Sequence, residues 1–198
     1  MAITILNLFT VSALAFATAT PATIERPETI EGEKKEIKVD NSKLVWKGYK
    51  VTGSHEGTVD INSGALIFKE GVLTGGNISI NMRSIESTDL TGEYKGKLEG
   101  HLKSDDFFGV ENFPTASLKL NKVKPAGKNS YTATGDMTIK GITNTVDLEI
   151  SVYGNKANAI IKIDRSKFNV RYGSTSFFDN LKDSAIYDEF DLVADFEF

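Results

Sequence analysis

From residue 37 onward, apolar and polar side chains alternate with a period of two. Ile78, Ile80 and Met82 alternate with polar neighbours. So do Ala116, Leu118 and Leu120, then Val146, Leu148, Ile150 and Val152, then Phe190, Leu192, Ala194, Phe196 and Phe198. Side chains of a strand point to opposite faces in turn, so this pattern predicts strands with one dry face. Turn-forming runs punctuate them: Asn62-Ser63-Gly64, Thr74-Gly75-Gly76, Pro125-Ala126-Gly127 and Gly154-Asn155. Short strands joined by tight turns predict an antiparallel sandwich or barrel. The 17 glycines suit a sheet that bends to close.

One segment breaks this period. In LTGEYKGKLEGHLK, Leu90, Tyr94, Leu98 and Leu102 recur every fourth residue, which is helical spacing. Asp89 is a candidate N-cap, and Glu93–Lys97 and Glu99–Lys103 are favourable i,i+4 pairs. Gly92, Gly96 and Gly100 form a second stripe, and each interior glycine costs about 1 kcal/mol against alanine. Such a helix holds only if its apolar stripe docks. The expectation is that it covers one end of the sheet; a mobile lid is the sharper alternative.

The helix runs into HLKSDDFFGVENFP, where Asp105-Asp106 meet Phe107-Phe108 and Phe113 precedes Pro114. The motif nearly recurs at Phe177-Phe178-Asp179. Adjacent aromatics in turn-like sequence cannot share one strand face. They either plug the end of a core or line the mouth of a cavity.

Composition narrows the partners. The chain has 198 residues, 40% of them hydrophobic, and a formal charge of −4. That is one ordinary domain plus an extension, with enough apolar content for a real core. No basic surplus exists to neutralise phosphates, so nucleic acid is not an expected partner. There is no cysteine, which excludes thiol catalysis, disulfides and Cys-ligated zinc. Ile3–Phe16 is mostly apolar and ends at Ala17-Thr18-Ala19, a small-x-small pattern. Residues 1–19 therefore read as a secretory signal, although no Lys or Arg precedes the apolar run. Residues 20–36, rich in charge and proline, read as a disordered linker. Residues 37–198 are the domain, and the compartment expected is periplasmic or secreted.

The search for chemistry finds little. His55 and His101 are far apart and lack metal-ligand spacing. No nucleophile elbow, phosphate loop or marked acid–base carboxylate pair is present. No cofactor and no metal is expected. What remains is an apolar sheet with aromatic rims, and a barrel of about eight strands is either filled by side chains or holds one small ligand.

Four segments, in order, resemble the YceI-like family: IKVDNSKLVWKG, KLEGHLKSDDFFGVENFPTASL, GDMTIKGITNTVDLEI and IKIDRSKFNVRYG. The resemblance covers about Ile37 to Phe198. It implies an all-β fold with one added helix: a closed, lipocalin-like antiparallel barrel of about eight strands. It implies non-enzymatic binding or transport of a polyisoprenoid or isoprenoid quinone in the interior. On that basis Trp46, Phe107, Phe108, Phe113 and Phe168 fall on the family's aromatic positions and Arg165 on its arginine. Ile80, Met82, Phe177 and Phe178 complete the expected ligand-binding set, with Arg165 or Arg83 available to an anionic head group; the alternative for Arg165 is a structural salt bridge to a nearby Asp or Glu. The sequence departs from the family at Asn41, where a histidine is usual, and in SHEGTVDINSG. SFFDNLKDSAIYDEF is insertion-like.

The expected partner is thus an apolar isoprenoid-like lipid, with no stable membrane insertion and with a homodimer left open. Alternatives are a ligand-free envelope domain with a filled core, an outer-membrane barrel, and a lipid-modifying enzyme using Asp105 or Asp106 as acid.

Overall fold

A computed structural model describes residues 32–198. Its strands are β1 (Glu33–Glu36), β2 (Lys43–Lys50), β3 (Gly53–Lys69), β4 (Val72–Ser87), β5 (Thr115–Gly127), β6 (Ser130–Ile139), β7 (Ile142–Tyr153), β8 (Lys156–Asp164) and β9 (Ile186–Glu197). One helix, α1 (Gly92–Lys103), joins β4 to β5. Each strand from β2 onward pairs antiparallel with its neighbours in the order β3-β2-β9-β8-β7-β6-β5-β4, and β4 pairs back onto β3. This is a closed eight-stranded antiparallel barrel with one helix. Closure leaves no free sheet edge among these eight strands.

The period-two pattern is what closes it. Leu118 and Leu120 on β5, Leu148 and Ile150 on β7, and Leu192, Ala194 and Phe196 on β9 are all buried in one core. The intervening positions carry charge: Lys119, Asp147, Glu149 and Lys162 are exposed.

The end of the expected linker and three of the four expected turns need correction. Glu33–Glu36, the end of the expected linker, is strand β1, paired with Ala65–Phe68 of β3. The apolar leader at residues 1–19, and residues 20–31 of the linker, lie outside the described residues. Asn62-Ser63-Gly64 is not a turn but lies within β3, which runs for 17 residues; Thr74-Gly75-Gly76 likewise lies within β4 and Pro125-Ala126-Gly127 at the end of β5, so only Gly154-Asn155 is the turn expected. Register shifts between Thr58 and Asp60, and again between Ile61 and Ser63, bend this strand across β4 and scramble its alternation.

The helix is docked by its last turns only. Leu102 is buried and Leu98 is half-buried, whereas Tyr94 is 74% exposed. Thr91, not Asp89, occupies the N-cap position. Asp89 instead accepts hydrogen bonds from Ser87 Oγ at 2.7 Å and pairs with His55 Nδ1 at 2.8 Å. The Glu93–Lys97 pair forms at 2.6 Å. Glu99 turns away from Lys103: it pairs with Lys95 at 3.5 Å and accepts the Ser87 N–H at 3.0 Å, tying the helix to the end of β4. A side chain at Gly96 or Gly100 would meet nothing within 4 Å. No other element approaches the glycine stripe, so the helix is held by its docked apolar turns and by the polar ties of Glu99 and Lys95 to β4.

Candidate functional site

The barrel interior beneath the C-terminal end of α1 holds a cavity of about 90 Å3. Strands and loop each contribute to it by simple geometry. On β2 the inward positions are Leu44, Trp46 and Gly48, with Leu44 and Trp46 buried. Trp46 crosses towards β4, and its indole N–H is shared between the Thr58 carbonyl at 3.3 Å and the Glu86 carbonyl at 3.2 Å. That crossing requires a glycine opposite. A Cβ on Gly57 would stand 1.8 Å from the Glu86 carbonyl oxygen and 2.6 Å from the Trp46 ring. Ile80, Met82 and Ile85 of β4 and Ala116 of β5 supply further wall.

The two phenylalanines after the helix are set by its ending. The Phe107 N–H donates to the Ser104 carbonyl at 3.0 Å and the Phe108 N–H to the Leu102 carbonyl at 3.2 Å. Lys140 Nζ donates to the carbonyls of Asp105 at 2.7 Å and Phe107 at 2.9 Å, pinning the loop to the β6–β7 turn. The rings meet edge to face at 4.9 Å, both are buried, and both line the cavity. Such an edge-to-face pair is favoured by the ring quadrupoles.

Arg165 is the one charged side chain lining the cavity among the described residues, and it is 2% exposed. Its guanidinium is already occupied. Nε donates to the Tyr187 carbonyl at 3.1 Å, Nη1 to those of Val170 and Tyr172 at 2.9 Å each, and Nη2 to that of Ile186 at 3.0 Å. Asp188 lies 3.4 Å from Nη2, and the Phe107 ring lies 5.4 Å from the guanidinium carbon. Burial pushes its pKa down, opposed by Asp188 and Asp164. The reason for this arrangement lies in the strands. β8 ends at Asp164, so Ile186, Tyr187 and Asp188 at the start of β9 have no β8 partner. The guanidinium takes the place of the missing strand. Four of its five N–H groups are therefore committed to carbonyls. An anionic head group would have to compete with them, so the expected head-group role of Arg165 is replaced by a structural one at the cavity wall.

Of the expected set, Trp46, Ile80, Met82, Phe107, Phe108 and Arg165 converge on the cavity. Four do not. Phe168 is 1% exposed and belongs to the core, in the 3-10 turn that follows β8, but not to the cavity wall. Phe113 is half-buried against Gly141, with ring carbons 3.0–4.0 Å from where that glycine's Cβ would stand. Phe177 and Phe178 are on the outside, 39% and 50% exposed. Phe177 lies under the Arg171 guanidinium at 4.8 Å, and Phe178 borders an open outer groove with Asp105, Asp106 and Arg171. Sequence reasoning missed Met137 on β6 and Gly48 on β2. Met137 sits in TATGDMTI, where the inward residues are small and the alternation is faint; a glycine inside a strand carries no hydrophobic signal at all.

Ile80, Met137 and Leu192 also border a smaller void of about 20 Å3, lined by Leu44, Leu120 and Ile150 among others, in the far half of the barrel. These three side chains stand between the two apolar voids. No carboxylate and no histidine lines either void among the described residues. Asp105 and Asp106 are exposed in the outer groove, and no group of acidic or histidine side chains among the described residues has metal-binding geometry.

Known proteins share this architecture. The model of the YceI-like domain matches residues 29–198. A UPF0312 protein of Photorhabdus laumondii is 31% identical over 78 residues, which span 39% of this chain and 37% of that protein. The crystal structure of Burkholderia cenocepacia BcnA superposes with a TM-score of 0.63 at 23% identity, covering 81% of this chain and 98% of that one. A polyisoprenoid binding domain from Saccharophagus degradans superposes with a TM-score of 0.58 at 12% identity, covering 84% and 99%. With the family model spanning the whole barrel, the chain belongs to the YceI-like family.

Proposed function

We propose that this protein binds a single apolar chain of the isoprenoid kind inside the barrel, and holds or carries it without altering it. The observation that carries this reading is the apolar interior: a cavity walled by Trp46, Met82, Phe107, Phe108 and Met137, with a second, smaller apolar void beyond Ile80, Met137 and Leu192 that a bound chain would open into. An interior so lined offers nothing for acid–base or nucleophilic work, and Arg165 is occupied by carbonyls. It does offer burial, worth about 25 cal/mol per Å2 of apolar surface. The structural likeness to a polyisoprenoid binding domain supports the chain-like choice of ligand.

The cavity is narrow as it stands. Ligand pockets run to roughly 300–1,000 Å3, so a bound chain has to spread the walls. Met82 and Met137 suit that, because an unbranched thioether adapts its shape at low cost. The charged outer positions Lys119, Asp147, Glu149 and Lys162 are the reverse of a lipid-facing band, which supports a barrel that carries lipid inside over one that sits in it. The apolar leader read in residues 1–19 supports a periplasmic or secreted location.

Native mass spectrometry of the protein purified from a bacterial periplasm without detergent tests the reading. A discrete extra mass that organic extraction removes is the expected result, and it would give the cargo's class. A bare mass, unchanged after incubation with polyprenyl phosphates and quinones, would mean a filled barrel with no ligand.

A further inference from the structure

The lining residues that are not buried gather on one side of the cavity, and it is not the helical end. Leu102, Phe107 and Phe108, which close the helical end, are all buried. Among the lining residues only Gly48, Ile186, Tyr187 and Phe190 escape burial, and Tyr187 is 54% exposed. All four lie on one seam, between β2 and β9.

That seam is irregular for a definable reason. Gly48 pairs with Phe190, and the next pair is Lys50 with Ile186. Between them β2 has one residue, Tyr49, and β9 has three, Tyr187 to Glu189. The ladder resumes beyond, where the Val51 N–H donates to the Ala185 carbonyl at 3.3 Å. The bulged stretch of β9 is held from the other side by Arg165, through the Ile186 and Tyr187 carbonyls and the Asp188 carboxylate. At the point where this seam meets the cavity, β2 has no side chain. Gly48 follows Trp46 on the inward face, its φ is not left-handed, and a Cβ built on it meets nothing within 4 Å. Neither backbone conformation nor close packing calls for glycine there. A strand glycine with neither reason lowers strand stability, and what it leaves is an opening.

We propose that the apolar chain passes into the barrel sideways, through the β2–β9 seam, and that Gly48 is the residue that keeps this passage open. The proposal rests on the lipid-binding reading above. It assigns Gly48 a role in access, and it assigns Arg165 the role of holding the bulge that makes the seam wide.

The chain contains a single tryptophan, Trp46, next but one to Gly48 and in the cavity wall, so its fluorescence reports arrival of a ligand. Decylubiquinone, whose quinone ring quenches indole emission, serves as the probe in stopped-flow mixing. Wild type, Gly48→Ala, Gly48→Leu and, as a control for added apolar bulk, Gly100→Leu on the open face of α1 would be compared. The expected result is quenching in wild type and in the Gly100 variant at the same rate. Association should slow in the order Ala then Leu at position 48, by about tenfold or more for leucine, with unchanged or raised melting temperatures. Equal association rates in all four proteins would overturn the seam route. A weaker affinity at position 48 with an unchanged association rate would overturn it too, and leave Gly48 a wall residue only. A fall in the melting temperature of both Gly48 variants would show that the space is not free, and would also overturn it. If wild type itself takes up neither decylubiquinone nor geranylgeraniol, the lipid-binding reading fails and the seam inference fails with it.

Discussion

Two Phe-Phe pairs, each beside an aspartate, end in opposite places. Phe107-Phe108 is buried and forms a wall of the cavity. Phe177-Phe178 lies outside, with one ring under Arg171 and the other on an open groove. The dipeptides are the same, so the difference comes from what precedes them. Helix α1 ends with Leu102 docked in the barrel, and the Leu102 and Ser104 carbonyls then capture the two amides of the first pair. The second pair follows a turn in which the Ser174 carbonyl accepts both the Phe177 and the Phe178 N–H at 3.2 and 3.0 Å. That turn is itself anchored, with Ser174 buried and the Gly173 carbonyl accepting the Ile186 N–H of β9 at 2.8 Å, but it leaves the barrel at Ser174 and carries the two rings outward. Burial of an aromatic in a loop is decided by the element that delivers the loop, more than by the ring.

This contrast can be pressed by substitution. The largest effect is expected inside. Phe107→Ala and Phe108→Ala should each cost about 3–5 kcal/mol of folding stability, the usual range for a buried phenylalanine. Chemical denaturation with an unchanged m-value would measure it. A loss under about 1 kcal/mol at both would mean that the first pair is as dispensable as the second.

An intermediate effect is expected at the contact joining the two regions. His101, near the end of α1, packs between Phe107 at 5.5 Å and Tyr172 at 4.2 Å, and its Nε2 is buried without a hydrogen-bond partner. Burial lowers its pKa, against a smaller upward pull from Asp106. The unfolded chain then takes up a proton near the ordinary histidine value of about 6.5 while the folded chain does not. Stability is therefore fully present above that pH and falls as pH drops through it, levelling off below the lowered folded value. His101→Phe should remove this component, so the gap in melting temperature between variant and wild type should widen from pH 7.5 to pH 5. A constant gap would show that His101 does not titrate differently on folding.

The smallest effects belong to the outer pair. Phe178→Ala should change stability by no more than about 0.5 kcal/mol. Phe177→Ala should cost about 0.5–1 kcal/mol, the value of an exposed cation–π contact with Arg171. Losses comparable to those at Phe107 would erase the contrast.

The same contrast marks what the sequence made legible. The inward rows of β4, β5, β7 and β9 were readable because alternation is the direct imprint of one buried face, and Ile80, Met82, Leu118, Leu148 and Leu192 all sit where it puts them. β3 was not readable, because its register shifts break the period and leave Asn62-Ser63-Gly64 looking like a turn. Trp46 was found through the family pattern and Phe107 and Phe108 through their place after the helix as well, whereas Phe177 and Phe178 were drawn in by analogy of motif alone. For Arg165 the salt-bridge alternative meets Asp188 at 3.4 Å, but its bonds to carbonyls were not legible: that β8 stops one residue before it, leaving β9 carbonyls to satisfy, is a fact of pairing. Gly48 gave no signal, since a missing side chain has no pattern.

The central claim is that the barrel interior, and not the outer groove, holds an apolar chain. Native mass spectrometry of three proteins tests it most directly: wild type, Ala116→Phe, which puts a ring into the cavity from β5, and Phe178→Ala, which strips the outer groove. With cooperative melting retained in all three, the account predicts an extractable extra mass on wild type and on the Phe178 variant, and its loss from the Ala116 variant. Cargo retained by Ala116→Phe and lost from Phe178→Ala would contradict it.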